Sequence, residues 1–183
     1  MKTSITWVLP VVVVLVTSCA WATEVSFDKT SVTLAKNTTT PQTVGILVKD
    51  LPSGSTFAFA SFYLVWDKTK LDLSNFVWDT TVLDAAGIPT PFADGLNISA
   101  AKVAATGTLS NTKPLVTFDV KPLADVVGDF TISFKTSDPL NVLQDDFGAT
   151  IPVGSWGTLP VSVKAEPDPA RLTSVSFGAA RQK

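Results

Sequence analysis

Residues 57–73 read FAFASFYLVWDKTKLDL, and this stretch limits the fold more tightly than any other. It predicts one long strand ending at Trp66-Asp67, then a polar turn and a fresh apolar start at Leu71. Side chains alternate across a strand. Ala58, Ala60, Phe62, Leu64 and Trp66 therefore share one face, and Phe57, Phe59, Ser61, Tyr63 and Val65 the other. Only Ser61 is polar. A strand with one wet side carries a polar face. This one is expected either at the centre of a sheet, covered on both sides, or with one face kept dry for a partner.

Short apolar alternations recur elsewhere, separated by turn residues. They predict strands over 24–27, 31–34, 43–48, 71–78, 96–105, 115–120, 130–134 and 158–163. Residues 151–153 predict an edge piece, because Pro152 has no N–H for a ladder. Residues 81–95 carry Gly87, Pro89, Pro91 and Gly95 and predict a loop with one helical turn at 82–86. No window of about eleven residues or more keeps a helical period. Roughly nine short strands spaced about 8–12 residues apart predict an all-β chain, an antiparallel sandwich or jelly roll.

The first 22 residues are expected to be a signal peptide rather than part of the fold. Lys2 gives a positive start, and residues 8–16 form an apolar run, interrupted by Pro10, that is too short to span a bilayer. Two processing sites compete. Ala20-Trp21-Ala22 suits cleavage before Thr23, whereas Val16-Thr17-Ser18-Cys19 resembles a lipobox that would leave a lipidated Cys19. The second would tether the protein to a membrane without a spanning helix. Both place it outside the cell or in the envelope. One β-domain is expected over 23–164. Ala165-Glu166-Pro167-Asp168-Pro169 predicts a stiff linker, and the rest, to residue 183, a flexible tail. The alternative is a last strand docked through Leu172, Val175 and Phe177.

Several function classes are excluded by what is missing. The chain has no histidine, so no Ser-His-Asp triad, Cys-His pair or histidine metal site can be built. Its single cysteine, Cys19, leaves the domain without a disulfide. With 14 Lys and Arg against 16 Asp and Glu, scattered rather than in runs, it has no basic footprint for nucleic acid. A glycosidase needs two carboxylates across a cleft. The only glutamates, Glu24 and Glu166, stand near opposite ends of the domain, and the aspartates sit mostly in turn contexts. The expectation is a protein that is not an enzyme and needs no cofactor.

Three local patterns resemble a cohesin domain. The first is Ala60-Ser61-Phe62-Tyr63-Leu64-Val65-Trp66-Asp67 followed by Leu71. The second is Leu115-Val116-Thr117-Phe118-Asp119-Val120-Lys121, with Gly128-Asp129-Phe130-Thr131-Ile132-Ser133-Phe134 after it. The third is Leu143-Gln144-Asp145-Asp146-Phe147-Gly148-Ala149-Thr150-Ile151-Pro152-Val153, then Gly157-Thr158-Leu159. Lys68 departs from the family's usual proline, and Pro160 interrupts the last strand. The resemblance implies a nine-stranded β-sandwich of jelly-roll topology and a non-catalytic module. It also implies a dockerin-bearing protein partner, held on the flat sheet face that contains the Ala60 to Trp66 strand.

The candidate sites follow. With Ala60, Phe62, Leu64, Trp66 and Leu71 in the core, as the resemblance implies, Phe59, Ser61, Tyr63 and Val65 line the outer face. Aromatic and small polar residues together suit a protein interface. The competing reading covers this face with the 81–95 loop. Trp78 and Trp156 are candidates for stacking on sugar rings, which would make the chain a carbohydrate-binding or adhesion module with a polysaccharide partner. In Gly154-Ser155-Trp156-Gly157 the ring can equally fold back as a plug. Asp138, Asn141, Asp145 and Asp146 are oxygen ligands that could gather round Ca²⁺, although their spacing is not that of a calcium loop and Asp-Asp-Phe-Gly reads more simply as a turn. The sequons Asn37-Thr38-Thr39 and Asn97-Ile98-Ser99 have meaning only in a host that glycosylates them. A structural envelope protein with no separable ligand is a further alternative.

Overall fold

The computed structural model describes residues 22–52 and 56–165. The expectations for the signal segment, Cys19, the linker beyond Ala165 and the tail lie outside the described residues. Among those described there is no helix. Thirteen short strands form: β1 (Thr23–Phe27), β2 (Val32–Ala35), β3 (Gln42–Lys49), β4 (Phe59–Val65), β5 (Leu71–Trp78), β6 (Ala85–Ala86), β7 (Thr90–Pro91), β8 (Gly95–Ala101), β9 (Val116–Pro122), β10 (Gly128–Phe134), β11 (Val142–Gln144), β12 (Val153–Trp156) and β13 (Thr158–Lys164). Nine match the expected strands. The extra ones are two to four residues long.

The strands make two sheets. One runs β12-β1-β3-β9-β5, the other β2-β13-β10-β4-β8-β6, with β11 also on β4 and β7 also on β8. All pairings are antiparallel except β1 with β12 and β2 with β13. In β9 the apolar Val116, Phe118 and Val120 are buried while Thr117, Asp119 and Lys121 are half-buried, so one face of the smaller sheet is wet. Ala60, Phe62 and Leu64 of β4, in the other sheet, are fully buried in the same core. Aromatic rings fill the space between. Phe62 stacks on Trp78 at 5.9 Å and meets Phe134 edge-on at 5.8 Å, and Phe27 stacks on Phe134 at 5.1 Å.

Two local expectations are corrected. Residues 81–95 are more ordered than a loop. A single tight turn does form, with Val82 and Leu83 donating to the Asp79 carbonyl, and Asp79 Oδ1 accepts from the Thr81 N–H. It is over before Ala85, because Ala85 and Ala86 pair with Ala101 and Ala100 and become β6. Pro160 does not interrupt β13. It stands opposite Thr131 of β10, and the ladder to β2 starts one residue later, at Val161. A missing N–H is harmless there.

The edge of β4 away from β8 is shared by two strands. β11 pairs with Phe59, Ala60 and Ser61, and β10 with Leu64 and Val65. Asn141 closes the gap. Its Oδ1 accepts the Tyr63 N–H at 2.7 Å, and its Nδ2 donates to the Lys135 carbonyl at 2.6 Å. The Lys135 N–H in turn donates to the Tyr63 carbonyl. One amide side chain stands in for a missing stretch of strand. Asn141→Ala would strand a buried N–H in mid-sheet and is expected to cost about 1–3 kcal/mol. Asn141→Asp, which keeps the acceptor, should cost less in a urea unfolding series. Equal losses would show that the acceptor is not what matters.

Candidate functional site

The outer face of the larger sheet is where the sequence places a partner. Phe59, Ser61, Tyr63 and Val65 of β4 do project there, opposite Ala101, Ser99, Asn97 and Gly95 of β8. Thr131 and Ser133 of β10, then Thr158, Pro160 and Ser162 of β13, extend the face on the other side. Thr131, Thr158 and Pro160 are exposed; Ser133 and Ser162 are half-buried. This part of the face is rich in hydroxyls, and its charge lies at the far end, where exposed Asp129, opposite Ser162, accepts from the Ser162 hydroxyl and pairs with Lys164.

The β4 part is not open. Ser61 is 4% exposed and Tyr63 2%, while Phe59 and Val65 are half-buried. The expectation that all four line a bare surface is corrected at Ser61 and Tyr63, and the cause is local. Residues 88–94 turn back across β8 as a strap. The Phe92 ring lies 4.9 Å from the Tyr63 ring, and the Tyr63 hydroxyl donates to Asp94 Oδ1. Lys135 Nζ sits 4.8 Å over the Tyr63 ring and 3.0 Å from Asp94 Oδ2. Lys68 Nζ holds the strap from the far side through the Phe92 carbonyl at 2.7 Å. Ser61 is closed separately: Asn97 Nδ2 donates to its Oγ at 2.9 Å and to the Phe62 carbonyl at 3.2 Å.

Charge in the cluster is matched. The Tyr63 hydrogen bond and the Lys135 ammonium hold the Asp94 carboxyl below the usual range. Burial, then the Asp94 hydrogen bond, push the Tyr63 phenol up. Asp94 also raises Lys135. Each member is stabilised in the protonation state it already has near neutrality. Such a network holds a loop in place and leaves no group poised to accept or release a proton.

The remaining candidates are placed elsewhere. Trp78 is buried against Phe62 and cannot reach a sugar. Its burial follows from a bulge in β5 between Ser74 and Val77, with Asn75 at a φ of 53°. The extra residue reverses the alternation, so Trp78 turns inward and Val77 outward. Trp156 is half-buried with its ring 5.2 Å from Phe134, plugging the end of the sandwich. The four oxygen ligands are spent on turns and pairs. Asp138 Oδ1 accepts from Leu140 N–H, and Asp145 Oδ1 from Phe147 and Ala149 N–H. Asp146 pairs with Lys102 at 3.4 Å, and Asn141 bridges the strands of the larger sheet. Among the described residues no group of three or more His, Cys, Asp or Glu could hold a metal. The strap had one signal in the sequence: an apolar second face on β4 demands a cover.

No family model and no curated protein matches the chain in sequence. Solved structures match in fold. A cohesin module of a family 33 glycoside hydrolase from Clostridium perfringens superposes with a TM-score of 0.61 at 11% identity, covering 79% of this chain and 98% of that one. The cohesin of a type I cohesin–dockerin complex from Clostridium thermocellum gives 0.60 at 11%, covering 78% and 99%. A non-cellulosomal cohesin from the archaeon Archaeoglobus fulgidus gives 0.56 at 8%, covering 85% and 99%. The chain has a cohesin-like β-sandwich fold.

Proposed function

We propose that the chain is an exported, non-catalytic binding module that holds a protein partner of the dockerin type on the outer face of its larger sheet. The observation that carries this reading is that face. It is rich in hydroxyls across β10 and β13, carries charge only at its far end through Asp129 and Lys164, and has half-buried Phe59 and Val65 alongside. Phe59 and Val65 supply apolar contact area and the surrounding hydroxyls a polar rim, the two parts of a protein interface. The shared fold adds support, since matching structures include cohesins solved in complexes with dockerins. Fold alone does not carry function, so the face is the test. Residues 1–22 serve as the export signal in this reading, with lipidation at Cys19 as the alternative fate.

Thr131 is exposed, so Thr131→Arg changes the face without touching the core. Combined with Phe59→Ala, it is expected to abolish capture of a dockerin-bearing protein, identified by mass spectrometry, from the secreted and envelope fractions. Circular dichroism should show the same folded sandwich. Undiminished capture by the folded double variant would remove the face from the binding site.

A further inference from the structure

We infer that residues 88–94 are a releasable strap whose opening uncovers the β4 half of the docking face. The inference rests on reading that face as the partner surface.

The strap is attached lightly. Every residue from Ile88 to Asp94 is exposed, and none belongs to the buried core. Its ladder to β8 consists of two pairs, Thr90 with Asn97 and Pro91 with Leu96. Pro89 and Pro91 have no N–H to donate. What remains is the Phe92 N–H on the Gly95 carbonyl, the Phe92 ring on Tyr63, the Asp94 contacts to Tyr63 and Lys135, and the Lys68 bond to the Phe92 carbonyl. Segments with few buried apolar contacts and exposed hydrogen bonds open first.

The surface beneath is complete without the strap. β4 and β8 pair over seven residues, from Phe59 with Ala101 to Val65 with Gly95. The Tyr63 N–H is held by Asn141 and the Ser61 hydroxyl by Asn97, neither of which is in the strap. Opening therefore costs the short β7 ladder but breaks no bond between β4 and β8. It exposes the Tyr63 ring between Phe59 and Val65, with Ser61 and Asn97 beside them. An exposed tyrosine ring flanked by a phenylalanine is the kind of aromatic anchor found at interface centres. This surface continues directly into the open hydroxyl half at Ser133. Closed, the strap withholds the aromatic half. If it is closed about 99% of the time, a partner that needs the whole face binds roughly 100-fold more weakly than to the open form.

Tyr63 is the only tyrosine in the chain, so its chemistry reports the strap with no partner present. The probe is N-acetylimidazole under native conditions, with tyrosine acetylation identified by its reversal in hydroxylamine. Asp94→Ala is expected to speed acetylation of Tyr63 at least tenfold, while the amides of β4 and β8 exchange at the wild-type rate. A disulfide across the Pro91 and Leu96 pair (P91C with L96C) is expected to suppress acetylation, with recovery on reduction. An acetylation rate in wild type and Asp94→Ala equal to that of global unfolding would overturn the strap, as would a disulfide with no effect. If the Thr131 and Phe59 variants still capture the partner, the docking reading fails while the acetylation result stands, so the two failures are separable.

Discussion

Phe62→Ala is expected to lower the unfolding free energy by about 3–5 kcal/mol. Phe62 is fully buried, stacked on Trp78 and edge-on to Phe134. Removing the ring deletes its transfer free energy and leaves a cavity bounded by two other rings. Those rings come from opposite sides of the molecule, Trp78 from the smaller sheet and Phe134 from the larger, and each is fixed by its own ladder. The site therefore collapses poorly, which puts the loss at the upper part of the range. A domain of this kind has about 5–15 kcal/mol in all, so most of the stability would go. A urea midpoint within experimental error of wild type would show that the two sheets are not joined through this stack.

Gly95→Ala is the second large effect. The requirement at Gly95 is space rather than backbone angle. An added Cβ would lie 2.0 Å from the Leu64 carbonyl oxygen and 2.9 Å from Tyr63 Cε2. A side-chain tip can yield, but the oxygen belongs to the backbone of a central strand. Either the end of the β4–β8 ladder separates or the 92–95 turn is pushed off the sheet. Overpacking of this sort costs about 1–3 kcal/mol. The variant should melt lower and, because the turn carries Asp94, acetylate faster at Tyr63. A variant as stable as wild type would mean that β8 does not approach β4 as closely as described.

Much of the sandwich could be read from alternation alone. β1, β3, β4 and β9 have apolar faces that run their length, and β5 was bounded correctly at both ends. The edge pieces could not be read. Ala85–Ala86 and Thr90–Pro91 are strands only because β8 offers them a free edge, and nothing in their own composition favours an extended chain. The fate of Trp78 was hidden for another reason. A bulge at Asn75 reverses the parity of β5, and a single sequence shows the alternation but not the residue at which it slips. At the candidate site, the two apolar faces of β4 announced that something must lie on each. They could not say whether the second cover was a partner or the chain itself. In the structure the chain itself covers Tyr63, while Thr131 on neighbouring β10 is exposed.

The two parallel pairings join distant parts of the chain. β1 lies beside β12, and β2 beside β13, so the first strands are completed by the last. Until residues 153–164 are available, β1 has only β3 to pair with, and β2 has no partner strand among the described residues. Contacts of such long sequence separation form late and slowly. A nascent chain of this design cannot lock its sandwich from the front. It stays unsealed until nearly the whole domain has been delivered.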